Sequence, residues 1–244
     1  MINAKHLSKS FGEAQVVSDV SFSAQKGEIV GFLGPNGAGK TTTIRMLATY
    51  LPPSSGEAIV AGYDVVKDSD QVRRRIGYLP ENPPLYGEMT VSEYLSFVAQ
   101  IKRVPKAAAK SRIEQVMERC FITDVRSKIC QHLSRGYRQR VGLAQAIIGE
   151  PEVIILDEPT SGLDPKQIIQ IRETIKSLGA DHTVLLSTHI LPEVSMVCNK
   201  VVIVNRGRTV LESALQDLIK DRSLEQAFLE CLGKDDSIEN EIAA

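Results

Sequence analysis

Residues 29–42 read Ile29-Val30-Gly31-Phe32-Leu33-Gly34-Pro35-Asn36-Gly37-Ala38-Gly39-Lys40-Thr41-Thr42. An apolar run of strand length ends in a full match to the pattern G-x-x-x-x-G-K-[ST], and a helical pattern follows over 39–48. A strand that ends in glycines and opens into a helix aligns backbone N–H groups on one concave face, where the helix dipole adds positive potential. The product is a cradle for a diphosphate. Gly34, Gly37 and Gly39 permit the tight turn, and Pro35, Asn36, Ala38 and Thr42 complete the loop. Lys40, expected to face solvent, reaches the β- and γ-phosphates, and the Thr41 hydroxyl is placed to ligate magnesium.

Outward from this loop, strand and helix patterns alternate. Strands are predicted at 2–7, 16–23, 28–33, 56–61, 76–79, 153–157, 183–188 and 200–205, several of them continuous apolar runs of the kind buried in a mostly parallel sheet. The stretch 91–148 carries no strand pattern but helical segments near 91–103, 105–120 and 134–148, which reads as a helical insert of about 81–148 in an α/β domain spanning 1–212. A helix over 165–178 has Asp164 as N-cap, Pro165 in its first turn and Ile168, Ile171, Ile175 and Leu178 at helical spacing. A short C-terminal extension, 213–244, is expected to form helices near 213–219 and 223–232 and to end in a frayed acidic tail over 235–241.

A second constellation is Val153-Ile154-Ile155-Leu156-Asp157-Glu158, a strand that delivers two carboxylates at its C-terminal end. Ligands bind at that edge of an open α/β sheet, so both acids arrive beside the phosphate loop. Asp157 is suited to hold magnesium, directly or through water. Glu158 is suited to orient or deprotonate the attacking water.

Leu133-Ser134-Arg135-Gly136-Tyr137-Arg138-Gln139-Arg140, at the start of a predicted helix, resembles the Leu-Ser-Gly-Gly-Gln signature of ATP-binding cassette (ABC) ATPases. The resemblance then extends over nearly the whole chain. Ser161-Gly162-Leu163-Asp164 is similar to the family's D-loop, Ser187-Thr188-His189 to its switch histidine, and Tyr78-Leu79-Pro80-Glu81 to its Q-loop, while Phe11 stands where the family places an aromatic under adenine. The resemblance implies a P-loop ABC ATPase fold, with a RecA-like core sheet, an antiparallel β subdomain and a helical subdomain insert. It also implies MgATP hydrolysis, with His189 sensing the γ-phosphate. A Ser hydroxyl and glycine N–H at a helix start form a second anion site, and in the family each signature closes on the partner's ATP. Ser134, Arg135, Gly136 and Tyr137 are therefore expected to contact the ATP of the other subunit in a dimer.

The chain departs from the family pattern at Arg135 and Tyr137, which stand for Gly and Gln, and at Glu81, which stands for the Q-loop glutamine. Glu81 either approaches magnesium as an anion or is held away as a mechanical link to the insert. Tyr78–Asn82 together with 133–140 looks like the gliding-motility-type ATPases that partner type-2 ABC permeases. This implies a separate permease, an export direction and a seat on the cytoplasmic face of the inner membrane. In Asn82–Gly87, Leu85 and Tyr86 either tuck under the insert or offer a surface to that permease.

Composition bounds these readings. The 244 residues are 43% hydrophobic and 24% charged, as in a soluble globular protein, and 29 Lys+Arg against 30 Asp+Glu give no excess that points to nucleic acid or a membrane surface. Cys120, Cys130, Cys198 and Cys231 lack C-x-x-C spacing, which argues against a zinc site and a disulfide framework and fits a reducing compartment. No stretch approaches the roughly 18 apolar residues of a spanning helix, and the N-terminus lacks a signal peptide's apolar core. Any membrane span must come from another chain. A soluble family member without a permease, acting in DNA maintenance, translation or cofactor assembly, is the competing reading. A single phosphate loop argues against tandem translation factors, and the lack of heptads argues against coiled-coil DNA-repair cassettes. A small-molecule kinase leaves the signature and D-loop unexplained. Arg73–Arg75 complements a helix C-terminus; His6, His132 and His182 fit no site.

Overall fold

The strand that carries the phosphate loop is buried at all five positions. Its side chains divide with period two between two cores: Ile29 and Leu33 enter one, Val30 and Phe32 the other. The computed structural model describes residues 1–242, with side chains described as far as Gly233. In chain order the elements are β1 (Ile2–Phe11), β2 (Ala14–Ala24), β3 (Ile29–Leu33), α1 (Lys40–Leu47), β4 (Ser55–Val60), β5 (Tyr63–Asp64), α2 (Ser69–Arg75), β6 (Ile76–Leu79), α3 (Val91–Ile101), α4 (Lys106–Arg119) and α5 (Arg135–Ile147). There follow β7 (Val153–Asp157), α6 (Pro165–Leu178), β8 (Thr183–Thr188), α7 (Leu191–Val197), β9 (Lys200–Asn205), β10 (Arg208–Ala214), α8 (Leu215–Leu218) and α9 (Leu224–Ile242).

The strands form one curled sheet in the order β5-β4-β1-β2-β10-β9-β3-β8-β7-β6. The run β9-β3-β8-β7-β6 is parallel. β5, β4, β1 and β2 are antiparallel, and β10 joins the two parts, antiparallel to β9 and parallel to β2. The expected mixed α/β fold is thus present. β7 repeats the alternation of β3, sending Ile154 and Leu156 to one core and Val153 and Ile155 to the other. Each such fully buried side chain contributes roughly 1.5–3 kcal/mol, so the two strands that end in the chemistry are also among the most firmly held.

Between β6 and β7 lie α3, α4 and α5. α3 starts with a capping box: Thr90 Oγ1 accepts from Glu93 N at 3.3 Å, and the Glu93 carboxylate accepts from Thr90 N at 2.8 Å. Leu95, Val98, Met117 and Leu143 from these helices share one core with Ile154 and Leu156. α6 begins where the sequence predicts, with Asp164 Oδ1 accepting from Gln167 N at 3.0 Å. It buries Ile171, Thr174, Ile175 and Leu178, while Ile168 is only partly covered.

The region after β9 corrects the sequence reading. Strand β10 is not among the predicted strands, and it takes the first two residues of the helix expected at 213–219, which is present as the short α8 over Leu215–Leu218. β10 is entered through Arg206 and Gly207, both at positive φ (45° and 76°), as a two-residue hairpin turn requires. Its half-exposed face leaves no apolar run to read. The last helix runs on to Ile242 with no proline to stop it, so 235–241 is helical and not a frayed tail.

Candidate nucleotide site

The phosphate loop closes against β2. Gly39, the residue capping α1, has φ 92°, and a Cβ there would stand 2.9 Å from Val16 O, so only glycine fits. Lys40 corrects an expectation: it is 6% exposed and does not face solvent. Its Nζ donates to Gly34 O at 2.8 Å and Pro35 O at 3.1 Å, and lies 3.6 Å from Glu158 Oε1. The ammonium thus holds the loop in its turn from inside the space where phosphate oxygens are expected.

A cleft of about 340 Å³ opens at this loop. Asn36, Gly37, Gly39, Lys40, Thr41 and Thr42 line it from the loop, and Glu81, Glu158, Ser161 and His189 from the facing segments. Val16 of β2 also lines it, a contribution that nothing in its sequence neighbourhood signals. Gly34, Pro35 and Ala38 are outside its lining, Gly34 and Ala38 being buried.

Asp157 ends β7 directly opposite Ser187 of β8 in the sheet register. Its Oδ1 accepts from Ser187 Oγ at 2.6 Å and from Thr41 Oγ1 at 3.3 Å. Burial pushes this carboxyl above the ordinary carboxylate range, against the pull of those two hydroxyls, and the charge of Glu81 pushes in the same direction. Oδ2 is buried, and among the described residues it has no hydrogen-bond partner. An unpartnered buried carboxylate oxygen beside a threonine hydroxyl is the oxygen donor set that a hard divalent cation satisfies, so Asp157 and Thr41 fit magnesium. Ser187 was legible only as part of the switch motif; its link to Asp157 comes from strand register.

Glu158, one residue on, adopts φ 47°, a left-handed conformation that aims its side chain off the strand. Its N–H donates to Ser187 O at 3.1 Å, and its carboxylate meets His189 Nδ1 at 2.9 Å and 3.0 Å. The structure brings the two residues read as catalytic into direct contact. Glu81 is exposed at the cleft's rim, with its carbonyl accepting from Gln139 Nε2 at 3.4 Å. Phe11 is 49% exposed at the end of β1 and outside the cleft lining, with Lys9 Nζ 5.4 Å from its ring centre.

None of Ser134, Arg135, Gly136 or Tyr137 lines this cleft. Ser134 caps α5, accepting from Tyr137 N at 3.4 Å. A Cβ on Gly136 would fall 1.9 Å from Gln167 Oε1, so the start of α5 lies directly against the end of the Gln167 side chain of α6. Arg135 Nη2 donates to Ser161 Oγ at 3.3 Å and lies over Gly162, tying the signature segment to the D-loop of the same chain. Tyr137 is fastened within the insert, its hydroxyl on the Asp124 carboxylate and its ring 4.2 Å from the Arg140 guanidinium. Leu163 packs on the core and Asp164 caps α6.

Residues 17–161 match the profile of the ABC transporter family. The chain belongs to that family. NatA of Bacillus subtilis (strain 168), an ABC transporter ATP-binding protein, is 38% identical over 213 residues, which cover 86% of this chain and 87% of NatA. A solved ATP-binding subunit of an ABC transporter superposes with a TM-score of 0.87 at 32% identity over 95% of this chain and 99% of that one. CbiO1 of Clostridium perfringens, part of the ABC transporter complex CbiONQ, gives 0.80 at 26% identity over 90% of each chain. The protein is thus an ABC transporter ATP-binding subunit that binds nucleotide and hydrolyses ATP. Among the described residues, no helix of this ABC subunit is long and apolar enough to cross a membrane.

Proposed function

We propose that this subunit closes in pairs around two MgATP and drives a separate integral-membrane permease of type 2, in the export direction, from the cytoplasmic face of the inner membrane. The observation that carries the reading is the separation of two anion-binding helix starts. The phosphate loop at α1 lines the chain's own cleft, while Ser134 and Arg135 at α5 are exposed outside it. A second copy supplies what each cleft lacks. The ATPase domain comprises residues 1–212, with 213–244 as its extension.

On ATP binding, Lys40 exchanges the carbonyls of Gly34 and Pro35 for the β- and γ-phosphates, and the loop N–H groups take the remaining oxygens. Phe11 stacks on adenine. Thr41 and Asp157 hold magnesium, which when bound neutralises charge developing on the transferred phosphoryl group. Glu158 accepts the proton of the attacking water. His189 keeps the Glu158 carboxylate in place and contacts the γ-phosphate. Ser134 and Gly136 of the partner grip that same phosphate, so its release removes the contact that favours closure.

For the permease, support comes from a groove of about 790 Å³ between the core and the insert, lined by Tyr50, Tyr78, Pro84, Ile101 and Arg103. Tyr50 and Ile101 are 69% and 61% exposed. Leu85 and Tyr86 are outside this lining: Leu85 packs on the core, and Tyr86 lies against Phe97 and Tyr94 with ring centres 5.3 and 6.1 Å apart. Leu85 belongs to the internal packing while Tyr86 is 54% exposed, and the docking surface is assigned to the groove beside them.

The test is twofold. Glu158→Gln with MgATP should elute as a dimer and without nucleotide as a monomer. The tagged parent, extracted in detergent, should carry a six-span membrane protein in stoichiometric amount. A monomer in both conditions defeats the pairing, and recovery of the subunit alone defeats the permease.

A further inference from the structure

Glu193, in the first turn of α7, is 1% exposed, and among the described residues no cation pairs with it. A buried carboxyl without a cation demands good hydrogen-bond donors. It has two, one from the turn after β7 and one from the end of β8. Oε1 accepts from Thr160 Oγ1 and Oε2 from Thr188 Oγ1, the latter at 2.7 Å. Both threonines are buried, and the Thr188 hydroxyl also accepts from Ile190 N at 3.0 Å. That hydroxyl thus gives its one proton to Glu193 and accepts one from the backbone.

The two anchored residues flank the chemistry. Thr160 stands two positions after Glu158, in the turn where Ser161 N donates to Glu158 O at 3.1 Å and Leu163 N to Thr160 O at 3.2 Å. Thr188 immediately precedes His189. One carboxyl thus ties together the two segments that hold the Glu158–His189 contact, and it does so beside a Glu158 whose positive φ persists only if its surroundings fix it. Neither threonine lines the nucleotide cleft.

We propose that Glu193 is a positioning residue that sets the Glu158–His189 geometry, required for the hydrolytic step and not for nucleotide binding. The proposal rests on the roles given above to Glu158 and His189.

Steady-state ATPase kinetics of the full-length chain test it. In Glu193→Gln the amide nitrogen cannot accept a hydroxyl proton, so one threonine loses its acceptor. The kcat should fall roughly 10- to 100-fold with the KM for ATP within about twofold of the parent. Thr160→Val and Thr188→Val each remove one donor and should lower kcat in the same way. The double variant Thr160→Val/Glu193→Gln should lose much less than the product of the two single effects. If Glu193→Gln does not fold, the two threonine variants decide. Parental kcat in folded Glu193→Gln or in both threonine variants, a rise in KM at constant kcat, or full additivity overturns the proposal. His189→Ala and Glu158→Gln are measured alongside: parental turnover in both defeats the roles of that pair, whereas their loss beside an active Glu193→Gln defeats only the positioning role.

Discussion

His189 Nδ1 lies 2.9 Å from Glu158 Oε2 and 3.0 Å from Oε1, so a single ring nitrogen spans both oxygens of a carboxylate that is 8% exposed. An Nδ1–H in that position donates to both oxygens at once and stops the carboxylate from rotating. Glu158→Gln keeps the shape and loses the base. Hydrolysis should fall by roughly 10²- to 10⁴-fold while ATP still binds. Turnover and nucleotide binding measured on the same preparation check this, and near-normal turnover removes Glu158 as the base.

Lys40 makes a stronger prediction than a surface lysine would. Its Nζ satisfies two loop carbonyls in a buried position and sits near Glu158. Lys40→Ala should raise the ATP dissociation constant by about one to three decades, the equivalent of losing one or two charge-assisted bonds. It should also lower the melting temperature of the nucleotide-free protein. Calorimetric titration and thermal melts report the two effects, and an unchanged ATP affinity contradicts the role of Lys40.

Asp157 predicts a pH dependence. Burial raises its carboxyl in the folded chain, so the folded state keeps a proton that the unfolded state has released above the ordinary value of 3.8. Stability should fall as pH rises from there through the raised folded value, and be flat beyond it. Asp157→Asn should abolish that slope and raise the melting temperature of the metal-free protein at neutral pH, while magnesium-dependent turnover is lost. Melts in chelator across a pH series measure the slope. A steeper decline in the variant would be the wrong sign.

Phe11 is half exposed, with Lys9 Nζ over its ring. Stacking of a base on an aromatic is worth about 1–3 kcal/mol by alanine substitution. Phe11→Ala should raise the ATP dissociation constant by about one to two decades, and Phe11→Tyr should be nearly neutral. Parental affinity in Phe11→Ala places Phe11 outside the site.

The groove separates partner binding from catalysis. Tyr50 and Ile101 expose apolar surface there and are outside the lining of the nucleotide cleft. Tyr50→Ser with Ile101→Ser should leave ATP binding by the isolated subunit unchanged and reduce recovery of the membrane partner. Leu85→Ser should instead lower the melting temperature, because its side chain packs on the core. An intact complex with Tyr50→Ser/Ile101→Ser sinks the docking assignment.

Much of the fold was legible because its central strands are buried on both faces and read as unbroken apolar runs; 153–157 and 183–188 match the sequence reading to the residue. The phosphate loop was legible because its chemistry fixes residue type and spacing together. β10 was not, since a strand with one wet face and a mixed sequence has no apolar run. The inward turn of Lys40 depends on carbonyls that only the folded loop presents. Ser187 and Glu193 were invisible as partners of Asp157 and Thr160, because strand register and helix packing bring them there from about 30 residues away.

The strand order carries a consequence for synthesis of the chain. β3 pairs on one side with β8, Val30 opposite Leu185, and on the other with β9, Val30 opposite Lys200. Emerging from the ribosome, an apolar strand with two open edges waits for partners made about 155 to 170 residues later. At about 5–20 residues per second that is on the order of ten to thirty seconds. Through that interval the nascent chain carries its complete phosphate-binding motif next to an unsheltered, aggregation-prone edge. A chain cut short between residues 42 and 183 holds every residue of the loop but neither strand that flanks β3 and not His189 of the cleft lining.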